Sequence, residues 1–190
     1  MAAALAAIGE LMNEAVQPTY EAAHELQSRF ISDNLRRVFI LIYRIVGNVA
    51  DAQDLTQEAF IKALQRQEQL KDAEKAAHWL SRIASNTAID FLRRHGRVNF
   101  CEIDDLPEPL SASPLESPEQ LLLRSERREY LEAGLEVLTD RERTALILRD
   151  VEGLPAGEVA RRLNCSKATV RSHIANARIK FRRYMEKRKP

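Results

Sequence analysis

Between Asn99 and Gln120 the chain reads NFCEIDDLPEPLSASPLESPEQ, with prolines at 107, 109, 114 and 118 among serines and six acids, and no base. Proline lacks the amide hydrogen that helices and sheets use, and it pushes the preceding residue toward extended backbone. A packed helix or strand is therefore not expected here, and one core is not expected to run through it. The 190-residue chain should fold as two small bodies joined by an acidic Pro/Ser-rich linker. The expected division is an N-terminal extension over 1–26, a first domain over 27–98, the linker over 99–120 and a second domain over 121–190.

On both sides of the linker, apolar residues recur at intervals of three and four. Alternating β-type runs and hairpin dipeptides are missing, so the fold class is all-α. The periodicity predicts a helix near 20–31 and another near 34–46, the latter carrying Leu35, Val38, Phe39, Ile42, Ile45 and Val46 on its apolar side, with a break at Gly47-Asn48. A third helix begins at Asp51 and turns Ala52, Leu55, Ala59 and Ala63 inward. A fourth spans roughly His78 to Arg94, with Leu80, Ile83, Ala84, Thr87, Ala88 and Phe91 on one face. Trp79, the single tryptophan, is read as a core or rim packing residue. In the extension, Leu5, Ile8, Met12 and Val16 are spaced for an extra helix.

A formal charge of +1 conceals a strong asymmetry: residues 160–190 carry eleven Lys+Arg and only Glu186 as an acid. Such a segment suits nucleic acid. No apolar run approaches the roughly 20 residues of a membrane span. No Lys or Arg precedes the apolar start, a poor secretory signal, so no membrane insertion is expected. Cys101 and Cys165 lack disulfide or metal-like spacing, and the simplest compartment is the reducing cytoplasm. His24, His78, His95 and His173 are scattered, without a zinc pattern. A glycine-rich phosphate loop, a nucleophile elbow and a fixed carboxylate pair are all missing, so the chain reads as a non-enzyme without cofactor, metal or small-molecule substrate.

Two polar constellations stand out in the first domain. Asp51, Asp54 and Glu58 lie at i, i+3 and i+7, an acidic stripe flanked by Gln57. From the pattern alone it fits helix capping plus a solvated face best. Arg82, Asn86 and Asp90 are spaced by four, and Arg93, Arg94 and Arg97 continue that side. This arrangement addresses bases and phosphates together, or simply offsets a helix dipole.

The second domain carries a denser set of signals. Thr139 and Glu142 form a capping box that opens a helix containing Ala145, Leu146 and Leu148, and Gly153 ends it. Pro155 suits the next helix start, whose Val159, Ala160 and Leu163 face inward, and Asn164-Cys165-Ser166 makes a short turn. Ser166 then caps a helix with Val170, Ile174, Ala177 and Phe181 as its buried stripe. Ala168, Arg171, Ser172, Ala175 and Asn176 face out, with Lys167, Thr169 and His173 at the edges. Two helices joined tightly, the second with small, polar and basic groups outward, make a helix-turn-helix suited to the major groove. Arg171 fits guanine and Asn176 adenine, while Arg178, Lys180, Arg182 and Arg183 are placed to neutralise phosphates.

With those residues in view, the chain resembles bacterial RNA polymerase sigma factors of the extracytoplasmic-function type, over nearly everything after about Gln27. Asp51-Ala-Gln-Asp-Leu-Thr-Gln-Glu-Ala-Phe60 looks like that family's core-binding helix, and Trp79 to Arg94 like its promoter-melting helix. Leu138 to Arg183 resembles its fourth region, a pattern shared in part with free-standing regulators of the LuxR type, which are the alternative function. The resemblance implies that Asp51, Asp54, Leu55, Gln57, Glu58 and Phe60 dock on core RNA polymerase. It implies that Asn86, Asp90, Arg93 and Arg94, with the loop Leu70 to Ala77, capture the melted non-template strand of the minus-ten element. Lys167, Thr169, Arg171, Ser172, His173 and Asn176, with Arg178 on the phosphates, would bind the minus-thirty-five duplex. It further implies promoter DNA as target, an anti-sigma factor as inhibitory partner, and a linker threading toward the polymerase active-site and RNA-exit region. Ala168, His173 and Asn176 stand where the family often has Gly, Arg and Arg.

Overall fold

The computed structural model describes residues 20–70, 75–95, 127 and 129–187, with side chains from residue 24 onward. The linker over 99–120 and the extension up to residue 19 lie outside the described residues. The remainder is helical, without a strand among the described residues. It forms two compact units that divide at residues 96–97, the three-residue corner Gly47–Val49 aside.

The first unit contains α1 (Tyr20–Val46), α2 (Val49–Gln65), a short 3-10 turn (Gln67–Gln69) and α3 (Ala76–His95). Its core joins Val38, Leu41, Ile42 and Ile45 of α1, Ala52 and Ala59 of α2, and Leu80, Ile83, Ala84 and Ala88 of α3. Ala84, Ser85 and Ala88 are fully buried, and their small side chains let α1 pack closely on α3. Trp79 is a buried core residue.

Where the periodicity predicts two helices over 20–46, the structure has one. Neither glycine nor proline interrupts α1. Asn34, at the expected break, is buried, and its Nδ2 donates to the Phe30 carbonyl at 2.8 Å, so its side chain is satisfied inside the helix. Leu35, expected to face inward, is 48% exposed. Phe30 meets Phe60 edge-on, ring centroids 6.2 Å apart, and ties α1 to α2. Gly47 turns the corner at φ +79°, a left-handed conformation that side chains resist. α2 starts at Val49 rather than Asp51, which places Asp51 in the first turn, near the positive helix end.

The second unit opens with helical residues 129–136, followed by α4 (Asp140–Leu146), a single π turn (Ile147–Val151), α5 (Ala156–Arg162) and α6 (Lys167–Lys187). The capping box at Thr139 and Glu142 is complete in both directions. Gly153 leaves the π turn at φ +71°. Pro155 is the N-cap of α5, one position before the helix proper. The α5–α6 junction is a Schellman turn: Asn164 is left-handed at φ 49°, the Cys165 N–H donates to the Ala160 carbonyl at 3.0 Å, and the Asn164 N–H to Arg161 at 3.3 Å. Leu138, Leu148, Val159, Val170, Ile174 and Ala177 form the centre where α4 and α5 pack on α6.

Residues 129–136 grip the C-terminal half of α6. The Tyr130 hydroxyl donates to the Met185 carbonyl at 2.8 Å, and Tyr130 lies 5.7 Å from Tyr184, ring to ring. A Cβ at Gly134 would stand 2.6 Å from Phe181 Cε2, so the missing side chain there is what admits the half-buried Phe181 ring. Gly134→Val is therefore expected to lower this unit's stability by about 1–3 kcal/mol through overpacking. Gly134→Val with Phe181→Leu should regain part of that loss. Urea unfolding of the two variants checks it, and an unchanged midpoint for Gly134→Val would contradict the tight fit.

Candidate nucleic-acid interface

On α6, the cap and the buried stripe together decide what faces out. Ser166 Oγ accepts from the Thr169 N–H at 3.0 Å and shares a 2.9 Å bond with the Thr169 hydroxyl. The cap thus occupies Thr169 and leaves it half-buried. With Val170, Ile174 and Ala177 packed inward, the helical period turns Ala168, Arg171, Ser172, Ala175 and Asn176 outward, and all five are exposed. Lys167 is exposed beside them and His173 is half-buried at the edge. Ser172 Oγ donates to the Ala168 carbonyl at 3.2 Å, which leaves a small, low-profile surface at the middle of the face.

The cations expected to meet phosphates are not equivalent. Arg178 is held by Asp150, with Nε donating to Oδ2 at 3.0 Å and Nη2 to Oδ1 at 2.8 Å. Lys180 Nζ donates to Glu142 Oε2 at 2.7 Å. Arg171, Arg182 and Arg183 are exposed and have no ion pair among the described residues.

Glu142 therefore serves its cap and α6 at once. Burial pushes its carboxyl pKa up, but the Lys180 ammonium and the Thr139 backbone N–H and hydroxyl outweigh burial and hold it below its usual 4.5. A depressed carboxylate pKa stabilises the fold above the unfolded-state value, and that stability is lost as pH falls through the folded-state value. The stability gap between the natural protein and Glu142→Gln should thus be widest above about pH 4.5 and close on further acidification. Urea midpoints measured from pH 7 to pH 3 check this, and a gap that widened in acid would refute it.

In the first unit, α3 presents Arg82 and Asn86 exposed and Asp90 half-buried. Asp90 Oδ1 pairs with Arg93 at 3.1 Å, and Arg94 Nε donates to the Asp90 carbonyl at 3.2 Å. Asn86, Asp90, Arg93 and Arg94 so form one continuous polar strip at the basic end of α3. Of the preceding loop, residues 71–74 lie outside the described residues, and Ala76 is already buried in α3.

On α2, Asp54 and Gln57 are exposed and Asp51 and Glu58 half-buried. Leu55 and Phe60 are 4% and 5% exposed and belong to the unit's own core, beneath the acidic stripe. Two residues were missed in the sequence. Ile61, 56% exposed, lies three, four and seven residues after Glu58, Gln57 and Asp54, and adds an apolar tip to the stripe; its i+7 spacing from Asp54 was the available signal. Lys62 pairs with Glu58 at 2.6 Å and donates to Thr87 Oγ1 of α3 at 3.2 Å, linking the stripe to the neighbour of Asn86. That tertiary bond has no sequence signal.

Two family models match: sigma-70 region 2 over residues 30–98, which takes in α2, α3 and most of α1, and sigma-70 region 4 over residues 128–181, the helix-turn-helix. The ECF RNA polymerase sigma factor SigE of Mycolicibacterium smegmatis is 36% identical over 88% of this chain, which spans 64% of that relative's length. The RNA polymerase sigma-H factor of Pseudomonas aeruginosa is 35% identical over 75% of this chain and 77% of its own. The chain belongs to the ECF sigma factors. The sigma-E factor of Escherichia coli K12 is similar at 34% identity over the same shares. A solved sigma factor of Bartonella quintana, RpoE, crystallised with the anti-sigma factor NepR, has the same fold at TM-score 0.59 and 18% identity, covering 85% of this chain and 98% of that one. As an ECF sigma factor the chain carries region 2 in its first unit, which decides against a free-standing LuxR-type regulator. No described helix is long and apolar enough to cross a membrane, and no described group of His, Cys, Asp and Glu could hold a metal ion.

Proposed function

We propose that this sigma factor binds core RNA polymerase, directs it to one promoter class and assists opening of the duplex, without catalysing a reaction itself. The observation that carries the reading is the exposed face of α6, with Arg171 and Asn176 outward and Arg171 without an ion pair among the described residues, in one chain with a region 2 unit. Duplex DNA shows its base edges in the major groove, where Arg171 suits guanine and Asn176 adenine. Lys167, Ser172 and His173 contact neighbouring bases or sugar-phosphate, and Arg182 and Arg183 the flanking phosphates.

The strip Asn86, Asp90, Arg93 and Arg94 serves the melted non-template strand. Splayed bases offer edges to Asn86 and Asp90, and the arginines hold the backbone, so binding itself favours the open state without nucleotide hydrolysis. Asp51, Asp54, Gln57 and Glu58, tipped by Ile61, dock on the polymerase, with Leu55 and Phe60 fixing the helix beneath them. The domains act over 27–98 and 121–190, with the acidic linker over 99–120 between them. The partnership of the Bartonella quintana relative with an anti-sigma factor supports a protein inhibitor here too, and a subunit that binds core RNA polymerase acts where the polymerase does, in the cytoplasm.

Transcription by purified core polymerase on genomic promoter fragments, with and without the chain, tests this. New start sites sharing a two-block upstream sequence are expected. Tight duplex binding by the chain alone, with no new starts, would overturn the proposal.

A further inference from the structure

We propose that Asp150 tunes the sequence-independent part of DNA binding: it holds the Arg178 guanidinium back from the DNA backbone, so that a larger share of the binding free energy comes from base contacts. The proposal rests on α6 being the duplex-reading helix. Seven residues separate Arg171 from Arg178, which brings the two to nearly the same helix face, about 10 Å apart along the axis. Arg178 thus points the way the reading face points, where a phosphate would be its natural partner.

Instead the pair with Asp150 is bidentate. Arg178 Nε and Nη2 take both carboxylate oxygens in three contacts of 2.8–3.0 Å, which occupies the fork that fits a phosphate. The pair is solvent-accessible, with side chains 59% and 33% exposed, so its share in stability is small and the guanidinium stays within reach of a phosphate. A carboxylate on a DNA-facing surface also costs affinity by repelling phosphates.

Asp150 is held in place by unusual backbone. It lies in the π turn Ile147–Val151, whose wider ring re-aims the residues it carries. The Arg149 side chain donates to the Leu154 carbonyl at 2.9 Å and the Leu154 N–H to Leu148 at 3.0 Å, closing that turn. Lys180, held by Glu142, shows the same economy of free charge further along α6. Phosphate contacts strengthen binding to every sequence alike, so withdrawing one lowers affinity for promoter and scrambled DNA by the same factor and leaves base discrimination as it was.

The test is the salt dependence of binding by the full chain reconstituted with core polymerase, on a promoter duplex and on a scrambled duplex of equal length. Asp150→Asn should steepen the log–log salt slope on scrambled DNA by about 0.9, an extra loss of about 3.5-fold in affinity over a fourfold rise in salt. It should leave the ratio of promoter to scrambled affinity, at a given salt concentration, unchanged. Adding Arg178→Ala to Asp150→Asn should return the slope to that of the natural protein. Asp150→Ser should match Asp150→Asn, which guards against one variant misfolding. An unchanged slope in both neutral variants overturns the proposal. So does a steeper slope that survives in the double variant, because Asp150 would then act by repulsion and not through Arg178. If the natural complex shows no promoter preference, the sigma-factor reading fails by itself, and the slopes still decide the role of Asp150.

Discussion

Arg171→Ala is expected to cut initiation about 5- to 150-fold at promoters whose upstream element Arg171 reads, the equivalent of about 1–3 kcal/mol for one bidentate base contact. Arg171 is exposed on the outward face of α6 and unpaired among the described residues, so its loss leaves the fold intact and removes a contact made only with DNA. Arg171→Lys should recover part of the affinity but little of the base preference, because an ammonium cannot form the planar fork. Asp54→Ala should behave differently. Exposed on the α2 stripe, Asp54 is assigned to polymerase docking, so its loss should lower initiation at every promoter by a similar factor. Start-site mapping over a promoter panel distinguishes the two, and equal, promoter-specific losses for both substitutions would contradict this division of roles.

The outward face of α6 was legible because its determinants are local. Ser166 caps three residues ahead, Val170, Ile174 and Ala177 set the inward phase, and the outward residues follow by geometry. The Thr139–Glu142 capping box was legible for the same reason. What escaped depended on distant partners. Ser32-Asp33-Asn34 offers helix-starting residue types, yet packing of Phe30, Val38 and Leu41 on either side carries α1 straight through. Leu55 and Phe60 sit within a segment that suggests docking, but their apolar side chains are needed in the unit's own core. The ion pairs of Arg178 with Asp150 and of Lys180 with Glu142 span 28 and 38 residues, so a reading of α6 alone counts both cations as free. The π turn has no residue-type signature here: Ile147-Leu-Arg-Asp-Val151 reads as ordinary helix.

Arg143 is the sharpest case of such a hidden role, and its replacement should produce the largest stability change. By sequence it sits among Asp140, Arg141 and Glu142 and looks solvated, yet it is 1% exposed. Its Nε donates to the Leu135 carbonyl at 3.1 Å, which satisfies a backbone acceptor at the end of helical residues 129–136 and joins that helix to α4. Arg143→Ala removes the bond and leaves a cavity beneath α4, and together these should cost the second unit about 3 kcal/mol. Arg143→Met refills the volume without the donor and should lose about 1 kcal/mol, the net worth of one hydrogen bond, because the Leu135 carbonyl still accepts from the Leu138 N–H at 3.2 Å. The single tryptophan, Trp79, is buried in the first unit, so its fluorescence follows that unit while far-ultraviolet ellipticity follows both. The expected result is an early loss of ellipticity in urea with the Trp79 transition in place. Coincident and unshifted transitions in Arg143→Ala would show that the buried guanidinium does not hold the helix-turn-helix unit together.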